Sequence, residues 1–173
     1  MDIYLRLLKM KDLDEYWKVG FERPDRDMFY YTGTTYYPTK DEIEKFIEKS
    51  SNDEERKHFL ICNSKDEIIG EVLLMDIDNE YKSCTYRIAI FSKDNFNKGV
   101  GYKATKEVLK YAFKSLNLHR VELEVFDYNP RAKAMYEKCG FIQEGIKRDA
   151  LFLNDKFYNV FIMSILSYEF MED

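Results

Sequence analysis

A short turn with two glycines, Asn97 to Tyr102, constrains the fold of this chain more than any other stretch. It follows the apolar run Tyr86 to Phe91 and opens a run with helical spacing of apolar residues, Val100 to Leu116. A strand, a glycine turn and a helix in this order offer unpaired backbone N–H groups to an anion, and glycine lets a phosphate approach the main chain. The stretch predicts either a phosphate-binding loop or an ordinary strand-to-helix connection.

Two familiar nucleotide-binding motifs do not fit this turn. A Walker A loop needs a Gly-Lys-Ser/Thr run with an upstream glycine, which the chain lacks here. The dinucleotide fingerprint needs a third glycine where Ala104 stands, and no acidic residue ends a following strand in the required place. The turn is therefore not predicted to belong to a P-loop or a Rossmann site.

Composition and charge limit the classes of protein that can carry such a turn. The 173 residues are 45% apolar, which predicts one compact domain, residues 1–173, with a sizeable core. The net charge of −5 argues against a nucleic-acid partner, which needs a basic face. The same charge permits a cationic small substrate or a basic peptide.

The cysteines and the N-terminus bear on the compartment. Cys62, Cys84 and Cys139 are widely spaced and form no C-x-x-C pair, so neither a metal site nor a redox pair is predicted. The first residues lack a basic and apolar leader, and no stretch approaches the length of a membrane span. We expect a cytoplasmic, soluble protein that does not bind a membrane.

Hydrophobic periodicity gives the order of elements. It predicts strands at 3–7, 58–62, 68–77, 83–91, 120–126, from 141 and at 157–166, and helices at 13–19, after 39, at 100–116 and after 129. Asp12 is expected to cap the first helix, and Thr39 with Glu42 forms a capping box for the second. The order predicts an α/β (α+β) fold, with a mixed, mostly antiparallel sheet of about seven strands flanked by about four helices. One strand–helix–strand crossover should make two neighbouring strands parallel.

The stretch from Phe21 to Pro38 is rich in aromatic residues and has no periodicity. It is predicted to be irregular. It could cover a substrate cleft, form a packed surface loop or make a dimer contact, so a homo-oligomer is possible.

A second motif appears after the last predicted crossover. Asn129 and Pro130 are suited to begin a helix, and Gly140 is suited to end it. The run Asn-Pro-x-Ala-x-x-x-Tyr-x-x-x-Gly-Phe, the glycine turn and the element order together resemble the GNAT N-acetyltransferase superfamily. Residues 117–123 and 144–163 resemble the branch that holds ribosomal-protein N-terminal acetyltransferases and spermidine N1-acetyltransferases.

The resemblance implies a single-domain GNAT fold with acetyl-CoA as donor and no metal. It implies that the pantetheine arm lies along the fourth strand and near Asn129, and that Tyr136 donates a proton to the departing thiolate. The implied cofactor-binding residues are Ala89, Ile90, Phe91, Phe96, Asn97, Lys98, Gly99, Val100, Gly101, Tyr102, Asn129, Arg131, Ala132, Tyr136 and Lys138.

The chain departs from the family pattern at two positions. Phe96 stands where Gln or Arg is usual, so one phosphate contact is expected to be lost, although Lys98 is near. Thr85 stands where the spermidine enzymes carry an acidic residue, while Asp76 and Asp78 occupy the matching end of the third strand. Polyamine specificity is therefore an open question at this point.

Acetyl transfer to an amine needs a base, a donor that polarises the carbonyl and a proton for the thiolate. The Ile90 N–H is the candidate for polarising the carbonyl. Among the candidate bases Glu71, Asp76, Glu122 and Glu124, Asp76 is favoured, with a water chain as an equal alternative. Glu122 and Glu124 are predicted to lie on a solvated face, and the lone histidines His58 and His119 are predicted to be structural.

The sequence thus predicts an acetyl-CoA-dependent N-acetyltransferase that acts on a primary amine. The acceptor would be a small polyamine such as spermidine, or the N-terminal amine of a protein. The alternatives are a catalytically silent acyl-CoA-binding module and, in third place, a structural dimerisation domain.

Overall fold

The computed structural model describes residues 1–172, and these form one mixed seven-stranded sheet in the order β1-β2-β3-β4-β5-β7-β6. The strands are β1 (Ile3–Leu7), β2 (Lys57–Asn63), β3 (Ile68–Asp78), β4 (Ser83–Ile90), β5 (Arg120–Phe126), β6 (Ile142–Leu153) and β7 (Lys156–Leu166). The sequence analysis predicted seven strands and their order along the chain, and both are confirmed.

Helices cover both faces of the sheet. They are α1 (Leu13–Trp17), α2 (Arg26–Thr32), α3 (Lys40–Ser51), α4 (Val100–Lys110) and α5 (Pro130–Cys139). A 3₁₀ turn at Met10–Asp12 precedes α1, a second one, Lys93–Asn95, lies between β4 and α4, and π-helical turns at Lys18–Glu22 and Tyr111–Ser115 extend α1 and α4. One core cluster packs α4 and α5 on the sheet, and a second packs α1, α2 and α3.

Local signals set the ends of two helices as predicted. The Thr39 N–H donates to Glu42 Oε2 at 2.7 Å, so the capping box of α3 is present. Asn129 Oδ1 accepts from the Ala132 N–H at 3.2 Å at the start of α5, and Gly140 ends that helix with φ of 103°.

Two of the predicted features were wrong. Asp12 makes no side-chain cap of α1, because its carboxylate accepts instead from the Lys9 N–H at 2.9 Å and from Arg6 at 2.8 Å. The stretch predicted to be irregular contains α2, which brings the helices to five. Asp25 caps α2 at 2.9 Å through the Asp27 N–H, and Gly33 ends it with φ of 65°.

The strands β4 and β5 pair only at one end. They are parallel, as predicted, but the register covers only Ser83–Thr85 against Arg120–Glu122. Beyond this point β5 pairs with β7 alone and β4 with β3 alone in the described chain. Because the Phe91 N–H donates to the Ile69 carbonyl on β3 at 3.0 Å, alternation directs the N–H groups of Ile88 and Ile90 into the gap.

A β-bulge lies beside this gap. The register of β3 against β4 shifts between Met75 and Asp78, and Asp76 within it has φ of 52°. A bulge changes the direction of a side chain relative to the regular alternation of the strand. The bulge therefore allows the Asp76 side chain to point in a different direction from the one that regular alternation along β3 predicts.

The longest of these helices, α3, has 12 residues. Within residues 1–172, no helix combines the length and the apolar character needed to cross a bilayer.

Candidate active site

The gap between β4 and β5 opens into a cavity of about 680 Å³. Its walls come from α2, the end of β3, β4, β5, the loop before α4 and the first turns of α4 and α5. The sheet thus provides a cleft with strand backbone on one side and two helix starts at one end.

The glycine turn forms that end of the cleft. Gly99 is the N-cap of α4 and adopts φ of 75°. Because glycine has no side chain, the first N–H groups of the helix receive no side-chain cap from this residue. A Cβ added at Gly99 would meet no atom within 4 Å, so the space beside the main chain is open. The backbone N–H groups of Val100 and Gly101 belong to the first turn, which has no partners within its own helix. The turn can therefore receive an anion such as a phosphate group.

An arginine lies between two aromatic rings at the same end. The Arg131 guanidinium carbon is 4.0 Å from the centre of the Phe96 ring and 4.9 Å from that of Tyr31. The two rings meet edge to face, with their centres 6.3 Å apart. This packing joins α2, the loop before α4 and the start of α5, and it places a positive charge beside the turn.

Tyr136 lies deep in the cleft. Only 7% of the residue is exposed, and its ring packs edge to face on Tyr86 and Phe141. Burial raises the pKa of Tyr136 well above its usual value, with Cys139 adding to the rise and the Arg87 charge opposing it. Within residues 1–172 its hydroxyl has no hydrogen-bond partner, so a protonated hydroxyl is available to a ligand.

Four charged side chains line the other end of the cavity: Asp76, Arg87, Glu122 and Glu124. Glu122 accepts from Arg120 at 2.7 Å, and Glu124 is paired with Lys147. Glu122 and Glu124 are solvated, as predicted, with 44% and 47% of their side chains exposed, and the separation of β4 from β5 also exposes them to the cleft. Asp76 and Arg87 have no ion-pair partner among residues 1–172.

Glu71 can be removed from the candidate bases. It is buried and accepts hydrogen bonds from the Tyr16 hydroxyl and from His58 Nε2, the latter at 2.8 Å. It does not line the cavity. His58 thus lies in a buried network, and His119 contacts Ser167 Oγ at 3.2 Å, away from the cleft.

Most of the residues predicted for the site lie together in the cavity wall. These are Asp76, Ala89, Ile90, Phe96, Asn97, Gly99, Val100, Gly101, Tyr102, Asn129, Arg131, Ala132 and Tyr136.

Three predicted cofactor-binding residues do not line the cavity. The Phe91 ring packs in the second core cluster, with its centre 5.8 Å from that of the Tyr16 ring. Lys98 is exposed, and the Lys138 ammonium lies 4.7 Å from the centre of the Tyr102 ring. None of these three residues lines the cavity itself, although Lys138 contacts the wall residue Tyr102.

Sequence reasoning missed several residues of the wall. The most important are Tyr31 and Arg87, since both bring new chemistry to the cleft. Tyr31 belongs to α2, which the sequence did not reveal. Arg87 could have been found, because strand alternation places it on the same face as Ala89.

A helix start open to an anion, an open strand edge and a buried tyrosine lie in one cleft, an arrangement that suits group transfer from a donor that carries phosphate. The chain belongs to the GNAT acetyltransferase family, since the family model described as "Acetyltransferase (GNAT) domain" matches residues 2–142. It is an N-acetyltransferase, and acetyl-CoA is its donor.

Several curated relatives and solved structures are similar along most of the chain. The spermidine N(1)-acetyltransferase of Vibrio cholerae is 30% identical over 85% of this chain and 84% of its own. The probable N-acetyltransferase YjcK of Bacillus subtilis is 29% identical over 95% of this chain and 94% of its own. A crystal structure of the Vibrio cholerae enzyme with CoA and spermine has a TM-score of 0.87 at 29% identity, covering 96% of each chain.

Proposed function

We propose that this enzyme acetylates the primary amine of a small molecule, with polyamines such as spermidine as the first acceptors to test. Asp76 carries the proposal, because it places a carboxylate without an ion-pair partner among residues 1–172 in the same cavity as Tyr136. The relatives named as spermidine acetyltransferases support the choice of polyamines.

The residues of the cleft have separate roles in this proposal. Acetyl-CoA supplies a thioester whose acyl carbon accepts the amine nitrogen. Asp76, directly or through water, takes the proton that an ammonium must lose before its nitrogen can attack. The Ile90 N–H donates to the carbonyl oxygen where negative charge develops. As the new C–N bond forms and the C–S bond breaks, the Tyr136 hydroxyl gives its proton to the sulfur. The nitrogen then loses its second proton, which restores the Tyr136 hydroxyl through water.

The second candidate acceptor is the N-terminal amine of a protein. Asp76 is exposed at the bulge, so an extended chain could reach it from outside. The acidic charge of the chain, −5, favours a basic peptide among such acceptors. A peptide panel with free and blocked N-termini separates this candidate from polyamines.

The donor site is tested with two variants of Gly99 that differ from each other only in charge. Asparagine and aspartate both tolerate a positive φ, so Gly99→Asn and Gly99→Asp place matched side chains in the open space beside the turn. Isothermal titration with acetyl-CoA should give binding to wild type and weaker binding to Gly99→Asn. Gly99→Asp should bind much more weakly still. Equal affinities of the two variants would contradict phosphate binding at this turn.

Acetyl transfer itself is tested by an acceptor screen. Thiol release from acetyl-CoA is followed with spermidine, a diamine, a monoamine and peptides, and the acetylated product is identified by mass spectrometry. Turnover with at least one amine is expected. Binding of acetyl-CoA without transfer to any amine would instead support the silent acyl-CoA-binding module.

We also propose a cytoplasmic location and a possible homo-oligomer. Cys62, Cys84 and Cys139 are all free and buried, which fits a reducing compartment. The β6–β7 hairpin exposes the apolar side chains of Ile142, Ile146, Phe152 and Phe157, which could form a contact between copies. Sedimentation velocity tests the oligomer.

A further inference from the structure

Arg87 is a charged residue in the cleft that the proposed transfer does not use. It lies on β4 opposite Leu73 and lines the cavity together with Asp76. Its one polar contact within residues 1–172 is from Nη2 to the Thr34 hydroxyl at 3.4 Å, at the limit of a hydrogen bond. Most of the donors of its guanidinium are therefore available to a ligand.

The strand places this guanidinium on a definite side of the sheet. Tyr86, Ile88 and Ile90 pack toward α4 and α5, while Ala89 packs toward α1, α2 and α3. Arg87 shares the face of Ala89, and its contact with Thr34, just after α2, confirms this side. It thus lies on the face opposite α4, whose N-terminus forms the phosphate turn.

The Arg87 charge helps to lower the pKa of Glu71, but no carboxylate of residues 1–172 forms an ion pair with Arg87. Glu71, on the same face of β3, is held by Tyr16 and His58, and no oxygen of it lies within ion-pair distance of Arg87. Glu122 is engaged by Arg120 at 2.7 Å, and Glu124 by Lys147. Arg131, the other cation of the wall, is held between two rings at the phosphate end. The acceptor end therefore presents one carboxylate and one guanidinium without partners in the described chain.

We propose that Arg87 binds an anionic oxygen group of the acceptor, so that the preferred acceptor is a primary amine that also carries a carboxylate or a phosphate. A guanidinium binds either group through two parallel N–H···O bonds, which gives direction as well as charge. A polyamine such as spermidine gains no such contact from Arg87 and would bind through the carboxylates of the cleft instead. The inference rests on the proposed transfer to an amine and selects among its acceptors.

The test uses amines of equal chain length that differ only in their second end. Pentylamine, 1,5-diaminopentane and 5-aminopentanoate carry no group, a cation and an anion, and spermidine is the polyamine reference. A phosphate arm, 3-aminopropyl phosphate against propylamine, separates phosphate from carboxylate recognition. kcat/KM is measured for wild type, Arg87→Gln and Arg87→Glu, with acetyl-CoA affinity and thermal unfolding as checks on the fold and the donor site.

The wild type should prefer 5-aminopentanoate or the aminoalkyl phosphate over the matched monoamine by about tenfold or more, as one ion-pair hydrogen bond of ordinary strength gives. Arg87→Gln should remove this preference, and Arg87→Glu should shift it toward 1,5-diaminopentane and spermidine. Acetyl-CoA affinity should stay within about twofold.

Two other results overturn the inference in different ways. If wild type acetylates spermidine or pentylamine and the ratios are the same in Arg87→Gln, Arg87 does not read the acceptor, while the proposed transfer to amines stands. If wild type binds acetyl-CoA and acetylates none of the amines, the proposed function fails and the inference fails with it.

Discussion

The Arg131 guanidinium carbon lies 4.0 Å from the centre of the Phe96 ring, at the start of the glycine turn. Phe96 occupies the position where the family carries a polar side chain, and the ring cannot bind phosphate itself. It instead provides a surface on which a neighbouring cation is held, and Tyr31 holds it from a second direction at 4.9 Å. Phe96 brings no charge to the turn, and Arg131, on α5, supplies a positive charge beside it.

The first prediction follows from this stacking. Arg131→Gln should weaken acetyl-CoA binding about tenfold, since a hydrogen bond to a charged group contributes roughly 1.5–3 kcal/mol. Isothermal titration provides the measurement, and pantetheine, which lacks the phosphates, should bind both proteins alike. Lys133→Gln is the matched control, because Lys133 is a cation on α5 that pairs with Glu137 and does not line the cavity. An equal loss in both variants would argue against a specific role of Arg131.

The second prediction concerns the proton for the sulfur. Tyr136→Phe should lower kcat by about 100-fold or more, within the usual range for a general acid, and leave the acetyl-CoA dissociation constant nearly unchanged. Burial raises the pKa of Tyr136, so its hydroxyl stays protonated from neutral pH to well above pH 10, and kcat should not fall in this range through its ionisation. Stopped-flow thiol release measures the step. Tyr111→Phe, outside the cavity, is the control, and unchanged turnover in Tyr136→Phe would remove the proton-donor role.

The third prediction concerns the base. Asp76→Asn should lower kcat/KM at pH 7. The substrate amine is mostly protonated at this pH, and the variant lacks the carboxylate that would take its proton. The difference from wild type should narrow as the pH rises toward about 10, the ordinary pKa of an alkylamine. Full pH profiles of both proteins give the answer. Glu80→Gln is the control, because Glu80 is an exposed carboxylate in the turn that follows β3. A constant ratio across the pH range would favour a water chain.

The fourth prediction concerns stability. Burial alone would raise the pKa of Glu71, but the hydrogen bonds from His58 and Tyr16 hold it below its usual value. A carboxyl with a lowered folded pKa stabilises the protein above its unfolded pKa of about 4.3, and this contribution is lost as the pH falls through the folded pKa. Glu71→Gln should therefore be less stable at pH 7 by roughly 1.5–3 kcal/mol and lose less stability on acidification.

Urea unfolding at pH 7 and at pH 3 measures this effect. Glu48→Gln is the control, since Glu48 is an exposed carboxylate on α3. It should change the free energy of unfolding by less than about 0.5 kcal/mol at either pH. Identical acid sensitivity of wild type and Glu71→Gln would show that Glu71 does not contribute through its charge.

Much of the fold could be predicted because its signals are local. The capping box at Thr39, the Asn129–Pro130 start and the Gly140 end of α5 are each decided by neighbouring residues. The helix α2 was missed because its seven residues are too short to show a helical period, and its rings are ordered by contacts with distant parts of the chain. Tertiary packing, not propensity, decides its conformation.

The residues of the candidate site also fall into those that local sequence signals predict and those that depend on contacts between distant parts of the chain. The glycine turn and Tyr136 could be predicted from motifs, because main-chain N–H groups and one spacing along a helix suffice to place them. The position of Asp76 depends on a bulge, and the access to Arg87, Glu122 and Glu124 depends on where β4 leaves β5. Neither event has a signature in the local sequence, since both are set by pairing between strands.

The short ladder between β4 and β5 leaves an open seam in the middle of the sheet. A ligand that fills this seam binds the folded chain and not the unfolded one, so it adds stability by mass action, about 2.7 kcal/mol at a concentration 100 times its dissociation constant. The same seam that opens the sheet to its ligand is therefore the place where the ligand holds the two halves of the sheet together, and the chain should resist unfolding more strongly in the presence of acetyl-CoA.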